Sequence, residues 1–253
     1  MKNIFKKPKE KLEELRQIDK SFLFFLLVRK ILLDGLHKYF RLEIEGLENV
    51  PKHGPALIIP NHSGFAGFDA AILAHEINGN CHRIPRVLTH HFWFISKFTA
   101  KNAKKLGFIE ANMKNGVEHL KKNNLVVIFP EGEKGNFKPT SKRYHLEEFK
   151  RGFIRMAIEA QCPIIPTLII GAEETHINLK RLKIFEKVMI PIPLNVLPLP
   201  AKWKIIFLPP IKLPYKRSAL DDDELIVELA QEVREAMQKA LSAELEKRTS
   251  IYF

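Results

Sequence analysis

Two short runs, ALIIP at Ala56–Pro60 and LVVIF at 125–129, limit what this chain can fold into. Each is apolar throughout and too short for a buried helix. That is the pattern of a strand covered on both faces, which belongs to a parallel sheet with helices on either side. The two runs also end alike. The first leads into Asn61 and His62, a glycine-containing loop, and then Asp69 with the apolar residues 70–74. The second leads into Pro130, Glu131 and Gly132, followed by a basic, glycine-containing loop reaching Lys138. Residues 56–74 therefore read as a buried strand, a turn carrying a histidine, and a helix whose first residue is Asp69. Two strands that deliver polar residues at their carboxyl ends place them in one crevice above a sheet.

The rest of the chain alternates in the same way. Strands are expected at 42–47, 107–110, 164–170 and 204–208, and helices at 69–77, 115–122 and 149–160. A long C-terminal helix opens at Asp221–Glu224, with acids at its positive end, and runs to about 247. Its expected buried stripe is Leu225, Leu229, Val233, Met237 and Leu241. The proline-rich, apolar stretch 179–199 is expected to be irregular and to lie on or near a membrane face. The alternation predicts an α/β fold: a mixed, largely parallel sheet flanked by helices. Residues 9–40 read as a helical segment, with Leu12, Leu15, Ile18, Phe22 and Leu26 at helical spacing. The FLFFLL run at 22–27, flanked by lysine and arginine, reads as an interfacial membrane anchor, the plainer alternative being a helix that packs on its own domain. The expected division is thus a membrane-associating segment at 1–40 and one larger domain at 41–253.

A formal charge of +12 suggests a polyanionic partner: an anionic membrane surface, a phosphorylated substrate or nucleic acid. Nucleic acid rests on charge alone, without the basic and aromatic platform or zinc-finger spacing of such binders, and none is expected. Two cysteines, Cys81 and Cys162, imply no disulfide framework and fit a reducing compartment. The N-terminal sequence has no signal-peptide pattern, and its apolar run is too short to span a bilayer, which needs about 20 residues. The expected location is the cytoplasmic face of a membrane, peripheral or monotopic. Cys81-His82 and His90-His91 match no zinc spacing, so no metal is expected.

Four blocks carry a family resemblance: Asn61-His62 with Asp69, Gly107-Phe108-Ile109-Glu110, Phe129-Pro130-Glu131-Gly132 and Pro163-Ile164-Ile165-Pro166. In this order the chain resembles the PlsC-type glycerolipid acyltransferases, which acylate lysophosphatidic acid and related lipids. The resemblance runs from about 47 to 214. It implies an enzyme that moves a fatty acyl chain from acyl-CoA or acyl-carrier protein, as co-substrate rather than cofactor, onto a lipid hydroxyl. Membrane lipids and that thioester carrier are the implied partners.

Acyl transfer from a thioester to an alcohol needs a base, something to orient the base, and donors for the oxyanion. Histidine, with an ordinary pKa of about 6.5, is a neutral base near pH 7. His62 is the candidate base and Asp69 its orienting partner, as in the logic of a triad. A thioester is already activated, so no enzyme nucleophile is needed, and the chain has no G-x-S-x-G elbow. Backbone N–H groups near 64–67 or at Gly132 are the candidate oxyanion donors. Glu131 and Gly132 match the family's acceptor-site block, and Lys134, Lys138, Arg143 and Arg155 are candidate phosphate ligands. The aromatic stretch 90–95 reads equally as an acyl groove or as core, and the 163–166 block as packing.

Three departures from the family pattern bear on function. Six residues separate His62 from Asp69, more than is usual, with the extra length in a flexible glycine loop. Glu133 and Lys134 stand where a small hydroxyl residue and arginine are usual. Ala111 follows Glu110 where the family's second block ends in a basic residue. The acceptor is therefore either a lysophospholipid such as lysophosphatidic acid or an unphosphorylated lipid such as diacylglycerol or a fatty alcohol. A non-catalytic lipid-binding relative is the remaining alternative.

Overall fold

The computed structural model describes residues 20–63, 67–184 and 188–252. A seven-stranded sheet forms its centre. Its strands are β1 (Glu43–Glu45), β2 (Ala56–Pro60), β3 (Arg86–Thr89), β4 (Phe108–Glu110), β5 (Leu125–Val127), β6 (Ile164–Ile170) and β9 (Lys204–Phe207), in the order β1-β9-β6-β2-β5-β3-β4. Every neighbouring pair is parallel except β6 with β9. The mixed, largely parallel α/β sheet expected from the alternation is the one observed. Strands β7 (Asn178–Ile184) and β8 (Val188–Pro193) form a separate antiparallel pair.

The two faces of the sheet carry separate cores, because side chains alternate along a strand. Leu57, Ile59 and Val126 face Phe153, Met156 and Leu229, from helices α5 (Gly152–Ala160) and α6 (Asp223–Glu246). Ala56, Ile58 and Val127 face Ile72, Leu73 and Ile77 of helix α2 (Phe68–Cys81), with Trp203 and with Leu33 of helix α1 (Lys20–Tyr39). Helices α3 (Lys97–Lys105) and α4 (Met113–Lys121) precede β4 and β5. Both faces of β2 are fully buried, as its unbroken apolar sequence requires.

Three expectations change. The 179–199 stretch is not irregular: β7 and β8 occupy much of it, with Pro191 opposite Arg181. A two-stranded ribbon has only edges, where a proline lacking an N–H is tolerated. The buried stripe of α6 uses Ile226 and Ala230 beside Leu229, Val233, Met237 and Leu241, while Leu225 is only partly buried. The helix is capped by Asp222, whose side chain accepts from Leu225 N–H, and so starts a residue or two later than the acidic run suggests. The part of the N-terminal segment before Lys20 lies outside the described residues. Among those described, no helix is long and apolar enough to cross a membrane.

Candidate active site

Asn61 fixes the place where β2 ends. Pro60 has no N–H to donate, and beyond it the Asn61 side chain takes over the ladder. Its amide donates to Ile169 O at 3.0 Å and accepts from Ile169 N–H at 2.7 Å. Asn61 is fully buried, so these bonds hold the turn rigidly against β6. The next residue, His62, then stands at the carboxyl end of a central strand.

His62 Nδ1 lies 2.6 Å from Asp69 Oδ2. The Asp69 carboxylate has no exposed surface, yet it is well supplied with donors. Ser63 N–H reaches Oδ2 at 2.9 Å and Ala70 N–H reaches Oδ1 at 2.8 Å. Hydrogen bonds to a charged group contribute about 1.5–3 kcal/mol each, which offsets much of the cost of burying this carboxylate at the start of α2. Phe129 backs the imidazole, with ring centroids 4.2 Å apart. A carboxylate on Nδ1 sets the tautomer that leaves Nε2 as the basic nitrogen.

The loop after β5 braces the same histidine. Glu131 is buried, and its Oε1 accepts His62 N–H at 2.8 Å while Oε2 accepts Glu147 N–H at 2.7 Å. Gly132 takes φ +59° and ψ −145°, a conformation open in practice only to glycine, and starts one helical turn at Glu133–Asn136. Its N–H donates to Phe129 O at 3.1 Å, so it is not an oxyanion donor. Of the other candidate donors, at 64–67, only Gly67 is among the described residues, at the N-terminus of α2 with φ +72°. Gly135 admits no side chain: a Cβ there would stand 2.6 Å from Glu131 Cβ and 3.1 Å from His62 Cβ.

Of the four candidate phosphate ligands, two are committed elsewhere. Lys138 is buried, 3.2 Å from Glu131 Oε2 and 3.1 Å from Glu173 Oε1. Burial works against its ammonium, but the two carboxylates more than offset this and hold its pKa above the ordinary lysine value. Arg155, on α5, bonds Leu220 O at 2.9 Å and pairs with Asp223. Its guanidinium is held at the start of the C-terminal helix, so the structure does not bring it to His62. Lys134 and Arg143 are exposed, on the Glu133–Asn136 turn and in the loop that follows it. Glu133 contacts His90 Nε2 at 3.2 Å. Of the stretch 90–95 read as an acyl groove or as core, Phe94 is half-buried and Ile95 exposed, while the side chains of Phe92 and Trp93 lie outside the described residues.

Sequence reading missed Gly135 and Glu173. Gly135 leaves a weak signal, a second glycine three residues after Gly132 in a loop already suspected. Glu173 leaves a better one: like His62 and Glu131, it follows the carboxyl end of a fully buried strand, β6. Burial pushes its carboxyl pKa up to about 7, while Lys138 and the Tyr144 N–H, 2.7 Å from Oε2, pull the other way.

Comparison with known proteins agrees with this geometry. The sequence matches the acyltransferase family over residues 41–170, which include the His62 and Glu131 turns. An uncharacterized protein of Mycobacterium tuberculosis is 33% identical over 243 residues, covering 90% of this chain and 68% of that protein. A human protein described as a DGAT1/2-independent enzyme synthesizing storage lipids is 29% identical over 147 residues, 56% of this chain and 44% of its own length. The crystal structure of PlsC from Thermotoga maritima, a 1-acyl-sn-glycerophosphate acyltransferase, superposes with a TM-score of 0.58 over 94% of this chain and 88% of that one, at 18% identity. The chain belongs to the acyltransferase family. It has the PlsC fold, and it is an acyltransferase.

Proposed function

We propose that the protein transfers a fatty acyl group from acyl-CoA or acyl-carrier protein directly to the hydroxyl of a glycerolipid, with His62 as general base and Asp69 as its orienting partner. His62 Nε2 takes the hydroxyl proton as the alcohol oxygen attacks the thioester carbonyl carbon. The tetrahedral intermediate collapses, the carbon–sulfur bond breaks, and the imidazolium returns the proton to the departing sulfur as free thiol. Asp69 stabilises the imidazolium between these steps. The observation that carries this reading is the 2.6 Å contact between His62 Nδ1 and a fully buried, triply hydrogen-bonded carboxylate.

For the acceptor we favour an unphosphorylated glycerolipid, a mono- or diacylglycerol, over lysophosphatidic acid. Lys138 and Arg155 are engaged by carboxylates, and an acidic residue, Glu133, replaces the usual small hydroxyl residue. The relative named for synthesizing storage lipids fits an uncharged acceptor. A lysophospholipid acceptor would depend on Lys134 and Arg143. Glu131 and Gly132 shape the acceptor side of the crevice through the backbone they hold.

Membrane attachment is part of the proposal. Leu27, Ile31 and Leu32 of α1 are 55%, 62% and 59% exposed, and Leu194, Val196 and Leu197 after β8 are 67–81% exposed. The second group adjoins the site: His176 Nε2 contacts Val196 O, and its ring lies parallel to Phe68, the neighbour of Asp69. Such apolar surface beside a lipid-handling crevice suits a bilayer surface.

The test is thiol release from palmitoyl-CoA, and from an acyl-carrier protein thioester, in anionic vesicles. The acceptors are lysophosphatidic acid, monoacylglycerol, diacylglycerol and a fatty alcohol. Release that depends on an uncharged acceptor and disappears in His62→Ala is the expected result. Turnover only with lysophosphatidic acid would reverse the acceptor assignment. No release with either donor would leave a lipid-binding relative without chemistry.

A further inference from the structure

The Lys138 ammonium is closed off from solvent and substrate, its side chain 2% exposed, and it touches two buried carboxylates on separate segments. One of them, Glu131, holds the His62 main chain, and the other, Glu173, holds the Tyr144 main chain. A line of charge-assisted contacts thus runs from Glu173 through Lys138 and Glu131 to the backbone of His62. Gly135 lets this line close, since any side chain there would separate Glu131 from His62.

From this arrangement we infer that Lys138 is a positioning residue for acyl transfer: its ammonium holds the Glu131 carboxylate in place as the acceptor for His62 N–H and does not bind the acceptor lipid. The inference rests on His62 being the base. With Lys138 in place the three side chains carry one net negative charge when both carboxylates are ionised. Without it, above the pH at which Glu173 ionises, two buried carboxylates face each other with no cation between them, and their repulsion displaces Glu131. A displaced Glu131 carboxylate loses the His62 N–H, a charge-assisted bond roughly twice as strong as a neutral one. The turn that carries His62 is then free to shift, and a displacement of about 1 Å from productive geometry costs on the order of 10²-fold in rate.

The deciding variants are Lys138→Met and the double variant Lys138→Met/Glu173→Gln, which returns the cluster to its original net charge. In the thiol-release assay Lys138→Met is expected to lower kcat at least ~10-fold, with acceptor KM within about twofold for phosphorylated and unphosphorylated lipids alike. The double variant is expected to recover most of that loss. Hydrogen exchange at the His62 amide supplies a readout independent of turnover. It is expected to quicken ~10-fold or more in Lys138→Met and to slow again in the double variant. A KM increase confined to phosphorylated acceptors, with kcat unchanged, would assign Lys138 to the acceptor site and overturn the inference. So would unchanged exchange at His62, or melting temperatures lowered in both variants without any recovery of kcat. If the wild type releases no thiol with any acceptor, the acyl-transfer reading fails, and the amide exchange still decides whether Lys138 holds the His62 turn.

Discussion

Helix α2 takes part in two kinds of histidine–carboxylate contact. Near its first residue, Asp69 holds His62 at 2.6 Å; further along, its His75 meets Asp34 of α1 at 2.8 Å, and Glu76 meets His37 at the same distance. By distance alone the contacts are nearly equivalent. Their surroundings differ. The Asp69 carboxylate has no exposed surface and receives two backbone N–H groups, and His62 is pinned through its own N–H by Glu131 and covered by Phe129. Asp34 is 44% exposed and also accepts from Lys30, so it sits in solvent with competing partners. Glu76 is buried, but its partner His37 is 40% exposed; pairs with one member in solvent contribute roughly 0–1 kcal/mol and hold geometry weakly. A catalytic pair is thus marked by the fixed acceptor and fixed base on either side of the contact, more than by the contact itself.

That contrast is open to direct test, and the widest gap is expected between two histidines. His62→Ala should lower thiol release ~10³-fold or more, the loss expected of a general base, whereas His75→Ala should stay within about threefold of wild type. Equal losses would mean that α1 docking, and not base chemistry, limits the reaction. The carboxylates come next. Asp69→Asn should cost on the order of 10²-fold or more in kcat because the ring loses its tautomer and its counter-charge, while Asp34→Asn should change kcat by less than about threefold. A smaller effect is expected where the brace is crowded without removing a charge. Gly135→Ala pushes on Glu131 and His62 and should destabilise the fold by about 1–3 kcal/mol, measured by denaturant titration, with kcat down ~10-fold.

The smallest effect concerns pH. The folded pKa of Glu173, at about 7, stands above that of an unfolded glutamate near 4.5. The folded state therefore binds more protons between these values. Stability from this group is fully present below about pH 4.5 and is lost as pH rises through 7. Melting temperatures of Glu173→Gln should decline less between pH 5 and 7.5 than those of the wild type. A parallel decline in both proteins would show that Glu173 does not titrate in that window.

Parts of this site were legible without coordinates because the chemistry is local. His62 and Asp69 flank one loop at the junction of a strand and a helix, and the apolar run before them leaves few alternatives for where they point. The position of Glu131 was legible for the same reason, although it was read as an acceptor-site residue and not as a brace for the His62 main chain. Lys138 shows where that reasoning stops. As a lysine in a basic, glycine-containing loop it reads as a phosphate ligand, and nothing nearby in the chain indicates that it is buried. Its two partners lie 7 and 35 residues away, and only the folding of the β5 and β6 ends onto one crest brings them together. Arg155 was misread in the same way, since Asp223 is 68 residues distant. The 179–199 stretch failed differently. Its prolines argue against a central strand but not against a ribbon made only of edges.

What the sequence by itself determined is the set of elements and their order. Runs apolar at every position need cover on both faces, and helical spacing between them supplies that cover, so a largely parallel α/β sheet with polar residues at strand ends follows from hydrophobic burial alone. The tertiary structure decided which of those polar residues meet. Ion pairing and hydrogen bonding act over a few ångströms and are indifferent to separation along the chain. Whether a lysine greets a substrate or neutralises a buried glutamate is therefore settled only when β2, β5 and β6 stand side by side.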